Sequence, residues 1–365
     1  MSQHALHSVG KNTWRSLPCS LSELRLDLTL GCGQTFRWRE TGEGHWTGVM
    51  GGRVWTLTQN EDTLWYHVYH CHGNPGLING RKRKTAAGLK GSGKKSKETI
   101  AVKEEEKAEM LDTVSSEEDK KEEELLRDYF QLHVKLENLY EEWSSADQHF
   151  NHTGNIFRGV RMLRQDPVEC LFSFICSSNN HISRIQGMVE RLCNTLGTPL
   201  CKLDNTHYHD FPSIQTLADS SVEARLRDMG FGYRARFLWR SAHLIMSTLG
   251  PDWLYELRST PYLQARDALR TLPGVGLKVA DCVCLMSLDK SEAVPVDTHV
   301  WQIAKRDYSC AAGIGKKTLT DKVYQEIGDF FRKIWGSYAG WAQSVLFCAD
   351  LKKFQKLKEV PDSKR

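Results

Sequence analysis

The stretch Thr271–Trp301, TLPGVGLKVADCVCLMSLDKSEAVPVDTHVW, decides how the chain is read. With "ARDALRT" reading as the end of one helix, "LPGVG" as a turn and "LKVADCVCLMSL" as the start of the next, the pattern predicts a helical hairpin. Gly274 and Gly276 let the backbone bend tightly and present its N–H groups at a helix N-terminus, a seat for a phosphate oxygen. A Gly-x-Gly turn between helices is also commonly no more than a turn. The upstream arginines Arg225, Arg227, Arg234, Arg236 and Arg240 favour a grip on a nucleic-acid backbone.

Two side chains in this stretch carry chemistry. Lys278 lies two residues past the second glycine, with Cys282 one turn further along the same helix face. It is either a solvated surface cation or an amine nucleophile, and attack requires the neutral amine, which burial favours. Asp297 follows Val-Pro-Val and precedes "THVW", so it reads as the N-cap of another helix, where backbone N–H groups and the helix dipole stabilise negative charge. Alone it is a cap. Beside an amine nucleophile it is also a fixed carboxylate that can stabilise the oxocarbenium character of a breaking glycosidic bond.

Working outward, 365 residues at 40% hydrophobic content can bury a sizeable core and divide into two or three units. No run approaches the roughly 18 apolar residues of a membrane span, and no signal-peptide pattern opens the chain, so an intracellular protein is expected. The eleven cysteines form no CxxC pair and sit mostly in apolar helical runs, which implies reduced thiols and no disulfide framework. No zinc or iron–sulfur quartet is visible, and no cofactor or metal site is expected. A net charge of +4 permits a polyanionic partner without requiring one.

From Trp14 to about His70, "QTFRWRE", "HWTGVMG", "RVWTLTQ" and "LWYHVYH" alternate apolar and polar residues between glycine-rich turns, the mark of an antiparallel β layer. Residues 74–124 are basic, then acidic, with scarcely a large apolar side chain, and are read as a disordered insertion. Beyond them the pattern is helical to about Leu351. "DPVECLFSFICSS" opens with an Asp cap and a first-turn proline, and "HISRIQGMVERLCNTLG" repeats apolar residues at helical spacing. The expected fold is α+β: an N-terminal antiparallel β domain over 1–157, a helical subdomain over 158–241, a helix-hairpin-helix subdomain over 242–353 and a charged C-terminal tail over 354–365.

"LPGVGLKVADCVCLM" followed by "VPVDTHVW" resembles the signature of the helix-hairpin-helix, Gly-Pro-Asp DNA glycosylases, and in particular of the 8-oxoguanine DNA glycosylase/lyase family. The resemblance extends through "CGQTFRWRE", "SFICSSNNHISRIQGMVERLC", "FGYRAR" and "WGSYAGWAQSVLF", nearly all of the chain outside the insertion and the two ends. It implies a bifunctional repair enzyme that removes 8-oxoguanine opposite cytosine from double-stranded DNA, with the target base flipped out of the stack. Lys278 would attack C1′ and hold the sugar as a Schiff base, and Asp297 would be its supporting carboxylate. Gly33 would accept the N7 hydrogen of the oxidised base through its carbonyl. Cys282 and Phe347 would cover the two base faces, and Gln343 would address the Watson–Crick edge. Asn179, Arg184 and Arg234 would fill the gap and contact the estranged cytosine, with Tyr233 as a wedge, while His299 would contact a phosphate or the pocket. A monomer is expected. Two rival readings are a glycosylase for another damaged base and a non-catalytic helix-hairpin-helix binding module. The first usually lacks the lysine or carries cluster cysteines, and the second gives no reason for Lys278 and Asp297 to occur together. "RKRK" at Arg81 suits nuclear import, and the first 22 residues, without Asp or Glu, weakly resemble a mitochondrial leader.

Overall fold

Alternating large apolar and polar side chains give strands with one face to bury. A computed structural model describes residues 3–6, 13–70, 117–312, 315 and 317–359. In it Arg15–Pro18 (β1), Trp38–Gly42 (β2), His45–Met50 (β3), Arg53–Gln59 (β4) and Thr63–Tyr69 (β5) form one antiparallel sheet in the order β1-β5-β4-β3-β2. Between β1 and β2, Leu26–Thr29 makes a short helix, α1. The inner face of the sheet buries Leu17, Trp38, Trp55, Leu57, Leu64 and Tyr66. The β layer is therefore as expected, with β1 added at its edge.

The insertion ends earlier than the sequence suggested. Residues 117–129 are helical (α2), and α2 closes the sheet with Leu126, Tyr129 and Phe130, with Trp38 Nε1 donating to Tyr129 Oη at 3.0 Å. Glu122 on α2 is fully buried, and its carboxylate accepts from Arg15 and, at 2.5 Å, from Arg53. A run such as "EEDKKEEE" looks like solvated charge because its partners lie far away in sequence, on β1 and β4. The remainder of the predicted insertion lies outside the described residues.

The chain continues through Leu136–Ala146 (α3), Gln148–Ile156 (α4), Pro167–Ile175 (α5) and Ile182–Leu196 (α6). Asp166 caps α5 by accepting from Val168 and Glu169 N–H, with Pro167 in its first turn, as the sequence indicated. Next come a hairpin, Pro199–Leu203 (β6) with Thr206–His209 (β7), and helices Ile214–Leu217 (α7), Val222–Asp228 (α8) and Arg234–Leu244 (α9). The last group comprises Trp253–Glu256 (α10), Tyr262–Leu269 (α11), Leu277–Ser287 (α12), Thr298–Arg306 (α13), Asp321–Trp335 (α14) and Ala339–Asp350 (α15), with a 3₁₀ segment Lys352–Lys358.

α3 and α4 fall inside the range assigned to the β domain, yet they pack on α14 and α15, and the Phe150 ring meets Trp143 at 5.4 Å and Trp335 at 5.9 Å. The apolar faces of these two helices find no partner in the sheet, so they join the helical core. The segment expected as a charged tail is folded down as far as residue 359: Phe354 and Leu357 pack on the core, and Lys353 Nζ donates to the Gly31 carbonyl. No helix among the described residues is long and apolar enough to cross a membrane.

The buried Glu122 predicts a measurable penalty. Because Arg15 and Arg53 are each about one-third exposed and can rehydrate, Glu122→Ala should lower the unfolding free energy by about 2–3 kcal/mol, below the full cost of stripping one partner from a buried pair. Replacing the exposed neighbour Glu118 by Ala should change it by less than about 0.5 kcal/mol. Urea titration of both variants checks this.

Candidate active site

The hairpin forms as its glycines require. Gly274 has φ +81°, and a Cβ there would lie 2.6 Å from the Phe237 ring, so only glycine closes this turn against α9. Ser241 Oγ holds the turn by donating to the Pro273 carbonyl at 2.9 Å. Gly276 is the N-cap of α12, exposed, with nothing within 4 Å of where a Cβ would stand. The N-terminal amides of α12 are thus open to a phosphate.

α12 packs against α5 and directs Lys278 toward the end of that helix. Lys278 Nζ donates to Ser177 Oγ at 3.1 Å and stands 5.0 Å from the centre of the Phe174 ring, itself braced edge-on by Phe36. Cys282 is 2% exposed on the same face of α12. Burial pushes its thiol up to about 11, opposed by the neighbouring Lys278 and reinforced by Asp281 and Asp297. Cys282 is therefore a neutral, apolar surface that feels both the lysine and the carboxylate. Asp297 is the N-cap of α13, accepting from Val300 N–H at 2.9 Å.

The loop that carries Asp297 is fixed from behind. Asp281, adjacent to Cys282, accepts from Tyr262 Oη at 2.8 Å and Tyr324 Oη at 2.6 Å, and Tyr324 Oη accepts from Val296 N–H at 3.2 Å. Burial raises the Asp281 carboxyl to about 6, partly offset by the two tyrosine hydrogen bonds. Sequence reading missed this network, because an aspartate flanked by alanine and cysteine carries no sign of its partners on α11 and α14.

α15 brings in a second wall. Gln343 is 3% exposed, and its Nε2 has no hydrogen-bond partner among the described residues. Phe347, one turn along, is half-buried and meets the exposed His299 ring edge-on at 6.0 Å, while His299 Nδ1 lies 3.4 Å from Asp350 Oδ2. The Gly33 loop is tied to the 3₁₀ segment that follows α15, where Lys353 Nζ donates to the Gly31 carbonyl. Gly33 itself has φ +86°, and a Cβ would meet Ile182 Cδ1 at 2.8 Å. Cys282 thus neighbours Lys278 and Asp297, Phe347 reaches α13 through His299, and Gly33 lies against Ile182 of α6.

Of the residues expected to face the opposite strand, Asn179 lies on the loop between α5 and α6, and Tyr233 and Arg234, at the start of α9, bond to that loop. Tyr233 is 49% exposed and donates to the Ser178 carbonyl at 3.2 Å. Arg184 is exposed in the first turn of α6, and Asn179 is exposed with φ +48°. Arg234 departs from the expectation of a solvent-facing arginine. It is 4% exposed, its guanidinium 4.6 Å from the Tyr233 ring centre, with its donors engaged by the Ser178 and Asn179 carbonyls. Only three-dimensional proximity reveals these two acceptors.

A helix-hairpin-helix with an adjoining lysine and aspartate, set beside a β domain, defines a class of base-excision DNA glycosylases. Residues 16–171 match the family described as 8-oxoguanine DNA glycosylase, N-terminal domain, and residues 172–328 match the HhH-GPD superfamily base excision DNA repair protein. The N-glycosylase/DNA lyase OGG1 of Arabidopsis thaliana is 37% identical over 350 residues, covering 95% of this chain and 82% of its own. An N-glycosylase/DNA lyase of Saccharomyces cerevisiae is 39% identical over 250 residues, 62% of this chain and 66% of its own. Among solved structures, MBOgg1 in complex with a low affinity DNA ligand superposes with a TM-score of 0.69 at 27% identity, covering 92% of this chain and 94% of that one. The chain belongs to the 8-oxoguanine DNA glycosylase family of N-glycosylase/DNA lyases.

The buried carboxyl behind the site generates a pH prediction. Asp281 is raised in the folded protein from an ordinary 3.8 to about 6. Its contribution to stability is therefore complete below about pH 4 and is lost as the pH rises through about 6. Asp281→Asn removes the titration, so the stability gap between the two proteins should be widest at pH 4 and narrow by on the order of 2–3 kcal/mol at pH 7. Denaturant unfolding at pH 4, 5.5 and 7 measures that gap, and a constant gap means the carboxyl titrates normally.

Proposed function

We propose that the protein excises 8-oxoguanine facing cytosine in duplex DNA, using Lys278 as the nucleophile. The observation that carries this reading is a buried amide donor without a partner among the described residues, Gln343 Nε2 on α15, in a fold that also groups Lys278, Cys282 and Asp297. A desolvated donor left unpaired is costly, and a flipped base supplies the acceptor it lacks. A related protein, MBOgg1 in complex with a low affinity DNA ligand, supports the same direction, since it shares the fold over most of both chains.

In this reading, the base sits between Cys282 and Phe347 with Gln343 on its Watson–Crick edge, and the Gly33 carbonyl accepts the N7 hydrogen that guanine lacks. Neutral Lys278 Nζ attacks C1′, the glycosidic bond breaks and the base leaves with its electron pair. Asp297, held as a helix cap, stabilises the positive charge that develops on the sugar. The nitrogen at C1′ then loses a proton and its electron pair opens the sugar ring at the C1′–O4′ bond, giving the Schiff base, from which loss of a C2′ proton expels the phosphate 3′ to the lesion. The open amides at Gly276 grip a phosphate, His299 serves as a phosphate or pocket contact, and Asn179, Arg184, Tyr233 and Arg234 serve the vacated cytosine. No cofactor takes part. The protein acts as a monomer on nuclear DNA, with mitochondrial DNA as a second substrate pool, and "RKRK" at Arg81 lies outside the described residues.

Three substitutions test the assignment. Lys278→Gln should abolish base release and borohydride trapping on a duplex with one 8-oxoguanine, while lesion-DNA binding stays within a few-fold, because backbone amides hold the phosphates. Asp297→Asn should slow single-turnover excision by about 10²–10³-fold, the usual cost of removing a charge-stabilising group, yet leave a residual adduct. A rate within threefold of the parent reduces Asp297 to a cap. For Arg184→Ala, the preference for cytosine over adenine opposite the lesion should drop by about ten- to a hundredfold, more than overall affinity does. Rates opposite all four bases check it, and a uniform loss makes Arg184 a phosphate contact.

A further inference from the structure

The lysine needed for chemistry and the arginine expected to read the opposite strand meet at two ends of one short segment, residues 177–179. At one end, Ser177 Oγ accepts from Lys278 Nζ at 3.1 Å while donating to the Phe174 carbonyl at 2.7 Å. At the other, the Ser178 carbonyl accepts from Tyr233 Oη and Arg234 Nε, both at 3.2 Å, and the Asn179 carbonyl accepts from Arg234 Nη2 at 3.1 Å. Asn179 is held at φ +48°. A left-handed backbone is unfavourable for a residue with a Cβ, less so for asparagine, and it persists where the surroundings over-determine it. Here Arg234 supplies that constraint.

We infer that segment 177–179 is a latch that couples recognition of the base opposite the lesion to the release of Lys278, with Ser177 as a positioning residue. The inference rests on the proposed roles of Lys278 and Arg234. In the free protein Lys278 Nζ is tethered to Ser177 and faces the Phe174 ring. Reaching a sugar C1′ requires that tether to break. For the Arg234 Nε and Nη2 donors to address a cytosine, they must first leave the Ser178 and Asn179 carbonyls. Asn179 then loses the contacts that hold its left-handed backbone, the segment relaxes, and the adjoining Ser177 moves away from Lys278. A base that does not draw Arg234 off its carbonyls leaves the latch closed. Discrimination is then expressed in the rate of attack as well as in binding.

The experiment is a set of single-turnover excision rates, opposite cytosine and opposite adenine, for the parent, Ser177→Ala, Ser177→Thr, Arg234→Ala and the Ser177→Ala/Arg234→Ala double variant. Loss of one hydrogen bond to a charged group should lower the cytosine-over-adenine rate ratio of Ser177→Ala by about tenfold or more. Ser177→Thr, which keeps the hydroxyl, should restore the ratio. The losses from Ser177→Ala and Arg234→Ala should not add, because either change opens the same latch. Equal slowing opposite both bases, or additive losses, overturns the latch and leaves Ser177 as a local support for the lysine. Absence of a borohydride-trapped adduct with the parent overturns the lysine reading itself, and the latch with it, whereas an adduct with an unchanged ratio in Ser177→Ala overturns the latch alone.

Discussion

A single buried carboxylate holds the working parts of this protein in register. Asp281 lies on α12, one residue before Cys282, and accepts from a tyrosine on α11 and another on α14. The second tyrosine also takes the Val296 N–H, next to Asp297. One side chain thereby joins both arms of the hairpin, the helix behind them and the loop bearing Asp297. A buried carboxyl left without its donors costs several kcal/mol, so these four pieces cannot drift independently. The separation of Lys278 from Asp297 is set by that geometry.

Much of this was legible because it is local. The hairpin glycines, the Asp166 and Asp297 caps and the alternating strands each announce themselves within a few residues. The parts that escaped reading depend on partners distant in sequence. Glu122 resembles solvated charge until Arg15 and Arg53 are placed beside it, and Arg234 resembles a surface cation until two carbonyls close around it. The β6–β7 hairpin escaped too, although "KLDNTHYH" does carry a signal: Asp204 takes the left-handed backbone that an Asp-Asn turn accommodates. Its Leu203 packs with Val49 and Val54 of the sheet, so the hairpin fastens the helical region to the β layer.

The two ends of the chain meet beside the helical core. Gly33 belongs to the loop before β2, and the 3₁₀ segment after α15 is bound to that loop by Lys353 on the Gly31 carbonyl. Phe36, three residues past Gly33, braces the Phe174 ring that faces Lys278, so the same loop supports the lysine from below.

The ends of the connector spanning residues 71–116 lie side by side. His70, just after β5, is 3.5 Å from the Glu122 carboxylate, and Glu118 reaches Arg53 on β4. The anchor points are fixed by charge pairing on either side and owe nothing to the length of chain between them. For a closed loop in general, each doubling of length adds only about 0.6 kcal/mol of closure entropy. This junction is therefore a natural port: evolution, or a protein engineer, can lengthen, trim or replace the connector with a folded guest while the repair machinery beneath keeps its shape.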